Sequence, residues 1–499
     1  MVLSKTDFIL FRECPKNTWF KVHKPDLYFK EELSDFEKHI IETGNEVELV
    51  ARKLYPKGVM VEGRDEAAQK KTAELIAKKE AVIFQAVFVK DGFIAAVDIL
   101  EYNQATKAWD ITEIKASNEM DKKRHTYDLA FQVNLLKRCG LEIGAIYLMH
   151  LDSEYHRAGE LDLVGLFKKD DLTKEIGELA REIGPEMEAA LKYISSEKEP
   201  PGSCVCLYKG RSNHCTTFHH SNPQVPAYSV HDIVRIGLSK KKLAELIDGN
   251  NFHIHQVPED LELSEPQRNQ VNAYIWDKVM LDKANVRKEL GALQYPLYFI
   301  DYETFPSAVP MFDRFSPYQQ IPFQYSLFVQ DKPGAKLKHF EFLHDKPGDP
   351  SGDFVKAMRE QIGPKGNIIV WSKKFECTIN KQIAERVPEA AAFIEDVNSR
   401  VYDLMDIFTK QYMVHKDFKG STSIKKVLPV LVPELSYKDL EIQEGGKASS
   451  SWLQLFGDSL KAAEKAKLKK DMLAYCERDT MAMVRILEEL QKAIVETRD

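Results

Sequence analysis

The succession of apolar and polar residues predicts two α/β regions joined by a helical stretch. Strand-like runs at 81–89, 93–101 and 108–115 precede helical periodicity over 124–138 and another strand at 144–151. Ahead of them, Ser4-Lys5-Thr6-Asp7 reads as a capping box opening a helix that runs toward Cys14-Pro15. Residues 68–80 and 172–196 also read as helix. The stretch 199–226, rich in Pro, Gly, Ser, His and Cys, is irregular and closes a domain. Helical spacing of Ile233, Ile236, Leu243 and Leu246, resumed from Glu265 to Leu290, predicts a connector. From 296 onward, strands at 296–302, 321–330, 337–343 and 367–371 alternate with helices near 353–362, 375–386 and 470–495, which predicts an α/β domain with a mixed sheet. The expected organisation is therefore a domain over 1–226, a connector over 227–292 and a second domain over 293–499.

Composition changes this picture little. With 499 residues, 43% hydrophobic and 29% charged, the chain is an ordinary globular sequence, and its formal charge of −7 makes it no general polyanion binder. Contact with nucleic acid must come from local basic patches such as Lys122-Lys123-Arg124 or the lysines around 464–470. No apolar run approaches the length of a membrane span, and charges interrupt every apolar stretch of the first thirty residues, so a cytoplasmic protein without membrane contact is expected. Seven cysteines in so long a chain do not form a disulfide framework.

Candidate chemistry is densest where the buried-type strand Tyr295–Ile300 ends in Asp301-Tyr302-Glu303. Residues two apart in a strand share a face, so both carboxylates project together. At about 4 Å they repel by roughly 4 kcal/mol at an effective dielectric near 20. Ionised, such a pair calls for a cation, the beginning of a Mg²⁺ or Mn²⁺ site for phosphodiester chemistry. Glu376 follows the buried-type strand ending at Trp371 and is the third candidate acid, with Asp403 in reserve. Tyr475 and Asp479 stand four apart on the last helix, on one face; Asp479 is the fourth acid and Tyr475 the hydroxyl that aligns water.

A second carboxylate site is expected near the N-terminus. If the strands around 98 and 113 form a hairpin turning at Ala105-Thr106, Asp98 lies opposite Glu113. Lys115 shares the face of Glu113, and Gln132 follows on the next helix as a substrate-binding or aligning residue. Two acids for a metal and a lysine for the phosphate make a compact nuclease site.

Cys14 before these strands and Cys204, Cys206 and Cys215 after them complete the pattern. With Asp98, Glu113 and Lys115, this layout resembles the RecB-type nucleases of the PD-(D/E)xK superfamily, especially their iron–sulfur branch. That resemblance implies a [4Fe–4S] cluster held by the four cysteines and a restriction-endonuclease-like fold. A zinc site, with His214, His219 or His220 as substitute ligands, is the alternative. Gln85 stands where such nucleases are expected to carry glutamate. The order Asp301-x-Glu303, Glu376, Tyr475-x-x-x-Asp479 resembles the tyrosine-bearing DEDD exonucleases of the ribonuclease H-like fold, with Glu376 where aspartate is usual. It implies removal of nucleotides from 3′ ends with two Mg²⁺ or Mn²⁺ ions. As a whole the chain is similar to a bacterial family that fuses these two domains.

The expectation is thus a metal-dependent nuclease acting on DNA more than RNA, in repair or defence. The alternative is a nucleic-acid-binding or complex-organising protein with one or both sites degenerate, which Gln85 and Glu376 favour.

Overall fold

The computed structural model describes residues 1–29, 35–457 and 460–495. They form a mixed α/β structure with some twenty helices, in two compact units. The first comprises Met1–Leu207, Asn213–Pro223 and Ser307–Gln319; the second comprises Tyr208–Ser212, Gln224–Pro306 and Gln320–Asp499. Residues 227–292, expected as a connector, belong wholly to the second unit, as short helices and the two-residue strand Met280–Leu281. The excursion Ser307–Gln319, expected in the second domain, packs within the first: Arg157 donates to the Pro310 and Met311 carbonyls at 3.0 and 2.9 Å, and the Tyr318 hydroxyl donates to the Ala116 carbonyl at 2.7 Å.

In the first unit, β1 (Val82–Lys90), β2 (Phe93–Asn103) and β3 (Ala108–Lys115) run antiparallel; β4 (Ile143–Leu151) lies parallel to β3, and β5 (Phe167–Asp171) antiparallel to β4. Short strands Val59–Met60 and Leu3–Ser4 complete a seven-stranded sheet. The register pairs Ile99 with Thr112 and Leu100 with Ile111, which brings Asp98 and Glu113 opposite one another as the hairpin arithmetic requires. Helix α1 (Lys5–Glu13) begins at the expected capping box, with the Asp7 amide donating to Ser4 Oγ at 3.1 Å. Its Phe8 packs on Phe131 of α3 (Lys122–Arg138), ring centroids 5.4 Å apart, and Phe131 meets Phe93 of β2 at 5.9 Å. Helix α2 (Asp35–Arg52), which the periodicity analysis missed, carries Glu48. The helix expected over 172–196 is two, Thr173–Glu182 and Gly184–Ile194, because Pro185 has no amide to continue the ladder.

The second unit is built on a five-stranded sheet. β6 (Leu297–Pro306) is central, with β7 (Gln320–Gln330) antiparallel on one side, followed by antiparallel β8 (Lys338–Leu343). On the other side lie parallel β9 (Asn367–Val370) and β10 (Val401–Asp403). Alternation along β6 divides the core. Leu297 and Phe299 join Ile486 and Leu487 on one face, whereas Tyr298, Ile300 and Tyr302 join Phe354 and Ile383 on the other. The remaining elements used below are α4 (Lys373–Arg386), α5 (Ile424–Leu431), α6 (Gly445–Gln454) and α7 (Ala462–Val495).

Candidate functional site

Asp301 and Glu303 extend the odd-numbered face of β6, the one on which α7 lies. At the edge of this apolar seam the packing residues of α7 give way to Tyr475, Cys476 and Asp479, so the same contact that buries Ile486 and Leu487 brings polar groups toward the two acids. Carboxylate oxygens of Asp301 and Glu303 and the sulfur of Cys476 all lie within 4.8 Å of one another. Tyr437 and Tyr475 both hydrogen-bond the Asp479 carboxylate. Glu303 and Asp479 are 7% and 8% exposed. Glu376, in the first turn of α4, is buried and its Oε2 has no hydrogen-bond partner among the described residues. Asp403, the reserve candidate, is committed to capping: it accepts from the Lys373 amide at 2.8 Å and the Met405 amide at 3.1 Å.

Electrostatics set this cluster apart. Burial, then repulsion from Asp479 and Glu303, raises Asp301 well above the carboxylate range. Burial and Asp479 raise Glu303 likewise. Burial raises Asp479 against the opposing pull of its two phenols, and pushes Glu376 up to about 8. Lys425 of α5 is near enough to counter these shifts, but its ammonium donates to the Gln443 carbonyl at 3.1 Å. Among the described residues no ammonium or guanidinium hydrogen-bonds Asp301, Glu303 or Asp479. Such a set binds protons, or a cation if one is supplied.

The N-terminal cluster is the opposite case. Glu113 accepts from Lys115 at 2.7 Å, from Gln132 at 2.8 Å, and with both oxygens from Lys5 at 2.8 and 2.9 Å. Asp128 accepts from Lys115 at 2.7 Å and from Gln132 at 3.1 Å. Asp98 accepts from the Ile114 amide at 2.8 Å and from Gln85 at 3.0 Å; the Gln85 amide also donates to Glu48. Gln85 holds a left-handed φ of 53° within β1, a strained geometry for a non-glycine residue, with its amide bridging two acids. Burial works against the charge of Glu113, yet Lys115 and Lys5 bring it below the usual range. Burial, then Glu113, raises Asp98 to about 7. Beside this cluster a cleft of about 380 Å³ is lined by Lys21, Tyr28, Lys115, Arg124 and Asp128, among others. Arg124 pairs there with Glu13 at 3.0 Å.

The four cysteines singled out in the sequence come together, with their sulfurs all within 4.8 Å of one another and Cys204 and Cys215 separated by 3.9 Å. Cys14 sits where α1 meets the helix Pro15–His23, and the Asn17 side chain of that helix accepts from Thr217 and Thr216, tying both segments together. Asn222 donates to Cys204 Sγ at 3.3 Å. His214 stacks on Phe218 and His220 packs on Phe20. A closed set of four thiols can hold zinc or an iron–sulfur centre.

The residues that sequence reasoning left out are Lys5, Glu48 and Asp128 in the first unit and Tyr437, Cys476 and Lys425 in the second. Asp128 had a signal, four positions before Gln132 on one helix face; Tyr437 lies 42 residues from Asp479 and had none.

Residues 298–423 match the family model of a domain of unknown function, DUF2779. The chain is similar to "Uncharacterized protein UU173" of Ureaplasma parvum, 26% identical over 299 residues, 54% of this chain and 42% of that protein. It is similar to "Uncharacterized protein MG366 homolog" of Mycoplasma pneumoniae, 29% identical over 205 residues, 38% and 31% of the two chains. "Uncharacterized protein MG366" of Mycoplasma genitalium is 28% identical over 221 residues, 39% and 32%. The matched segments thus span 31–42% of the length of these curated relatives. No solved structure matches, and the comparisons identify no nuclease family. Among the described residues no helix is long and apolar enough to cross a membrane.

Proposed function

We propose that the second unit is a metal-dependent nuclease that hydrolyses phosphodiester bonds of DNA, acting as an exonuclease from 3′ ends, in repair or defence. The observation that carries this reading is the group formed by half-buried Asp301 with buried Glu303 and Asp479, raised in proton affinity and hydrogen-bonded by no cationic side chain among the described residues. Oxygen donors of this kind suit Mg²⁺ or Mn²⁺, which would supply Lewis acidity toward a phosphate. Tyr437 and Tyr475 hydrogen-bond the Asp479 carboxylate, and in this reading Tyr475 aligns the attacking water. The sheet order β8-β7-β6-β9-β10, with β7 antiparallel to both neighbours, supports the ribonuclease H-like reading. The sequence α2, antiparallel β1-β2-β3, α3 and parallel β4 supports the PD-(D/E)xK reading of the first unit.

For the cysteines the reading is a structural metal centre. The resemblance implies a four-iron cluster, but sulfurs within 4.8 Å of one another fit a single tetrahedral ion better. Zn–S bonds of about 2.3 Å place thiolates roughly 3.8 Å apart, whereas a cubane spreads its four thiolates over separate irons. Zinc is therefore the preferred occupant. The alternative role, a nucleic-acid-binding protein with a degenerate nuclease site, is favoured for the first unit by the lysines that already neutralise Glu113.

The test is digestion of end-labelled DNA and RNA oligonucleotides with Mn²⁺ or Mg²⁺, comparing wild type with Asp301→Asn and Glu113→Gln. Stepwise shortening from the 3′ end that is lost with Asp301→Asn and kept with Glu113→Gln supports the proposal. Activity that survives Asp301→Asn and vanishes with Glu113→Gln contradicts it.

A further inference from the structure

We infer that the ammonium of Lys5 occupies the cation seat of the N-terminal acid cluster, so that this cluster takes a divalent ion only when Lys5 is removed. The inference is independent of whether the second unit is a nuclease. Its basis is geometric. Both Glu113 oxygens contact Lys5 Nζ, at 2.8 and 2.9 Å, in the two-oxygen grip a carboxylate gives a metal ion. The same nitrogen lies 3.7 Å from Asp128 Oδ1. Lys115 and Gln132 fill the remaining acceptor positions of Glu113, and Asp98 is spent on the Ile114 amide and Gln85. The charges nearly close as well: Glu48, Glu113 and Asp128 face Lys5, Lys115 and Arg52, three against three, and Asp98 adds one negative charge only when it is ionised. A divalent ion added to this arrangement would meet an ammonium in its place and no free carboxylate oxygen on Glu113.

Lys5 is not a surface side chain that happened to fold inward. It stands in the first turn of a helix whose start is fixed three ways. Leu3 and Ser4 pair with Phe93 and Ile94 of β2, the Leu3 amide donates to the Gly92 carbonyl at 2.8 Å, and the capping box closes on Ser4. Phe8, one turn later and fully buried, locks the helix on Phe131. The chain thus delivers a cation to Glu113 as firmly as it delivers Glu113 itself, across 108 residues of sequence.

The experiment uses the full chain in an Asp301→Asn, Glu303→Gln, Asp479→Asn background, which removes the three clustered acids of the second unit. Mn²⁺ binding is measured by the loss of its free-ion electron paramagnetic resonance signal. The background protein is expected to bind no Mn²⁺ at this cluster. Adding Lys5→Met creates about one site per chain, as expected when a cation seat falls vacant among carboxylates, and adding Glu113→Gln to that protein abolishes it. Thermal unfolding monitored alongside establishes that each variant is folded; Lys5→Gln replaces Lys5→Met should the latter not fold. Mn²⁺ bound by the background and lost with Glu113→Gln alone overturns the inference, because the ion then displaces Lys5. Failure of a folded Lys5 variant to bind Mn²⁺ overturns it equally.

Discussion

Replacing Asp301 with asparagine should stabilise the metal-free protein and abolish its stabilisation by metal. Carboxylate oxygens of Asp301 and Glu303 lie within 4.8 Å, and Asp479 adds to the repulsion. At an effective dielectric near 20, two unit charges at that distance repel by about 3 kcal/mol. Protonation relieves this strain, which is why burial and repulsion raise both groups. A carboxyl raised in the folded state binds its proton more tightly there than in the unfolded chain. Metal-free stability is therefore full below the ordinary carboxylate value near 4 and declines as pH rises through the raised values. Asparagine keeps the shape and removes the charge. At about pH 9 in EDTA, Asp301→Asn should exceed wild type by up to about 3 kcal/mol, roughly 2–4 °C per kcal/mol for units of this size. With Mn²⁺ at about a hundred times its dissociation constant, wild type should gain about 2.7 kcal/mol and the variant little, reversing the order. Scanning calorimetry across pH, with EDTA or Mn²⁺, reads both effects. A variant less stable than wild type at every pH in EDTA would mean that the two carboxylates do not repel in the folded protein.

Glu113→Gln leaves the half-buried ammoniums of Lys5 and Lys115 with Asp128 alone and should cost about 1–3 kcal/mol in urea unfolding. Because Glu113 is held below its ordinary range, its contribution is present above the usual glutamate value and fades as pH falls, so the gap between wild type and variant should narrow in acid. Tyr437→Phe removes a donor to the ionised form of Asp479, so the acidic limb of Mn²⁺-dependent hydrolysis should move to higher pH; an unmoved limb would detach Tyr437 from the site. Protein purified anaerobically should be colourless and carry about one zinc per chain, lost with Cys206→Ser together with stability. A brown protein with iron and sulfide would establish the cluster instead.

Much of this structure was legible because the signals were local. The capping box at Ser4 set the start of α1, the Asp98–Glu113 pairing followed from a tight hairpin, and strand alternation put Asp301 and Glu303 on one face. The cysteines were found because three of them cluster in an irregular stretch. What escaped was set by packing between distant segments. Lys5 meets Glu113 only because Phe8 docks α1 on α3, and nothing near Lys5 in sequence marks it as a partner for an acid. Cys476 joins the two acids only because α7 lies across β6, a contact no local pattern announces. β10 is three residues long, too short for a period to declare itself. Gln85 looked like a lost acid, whereas its left-handed turn makes it a donor that bridges Glu48 and Asp98.

The most direct measurement is anomalous diffraction from crystals of the full chain grown with Mn²⁺. Density for the ion is expected bounded by Asp301, Glu303 and Asp479, and none against Glu113, where Lys5 stands. Manganese bound at Glu113 with the second acid cluster bare would contradict this expectation.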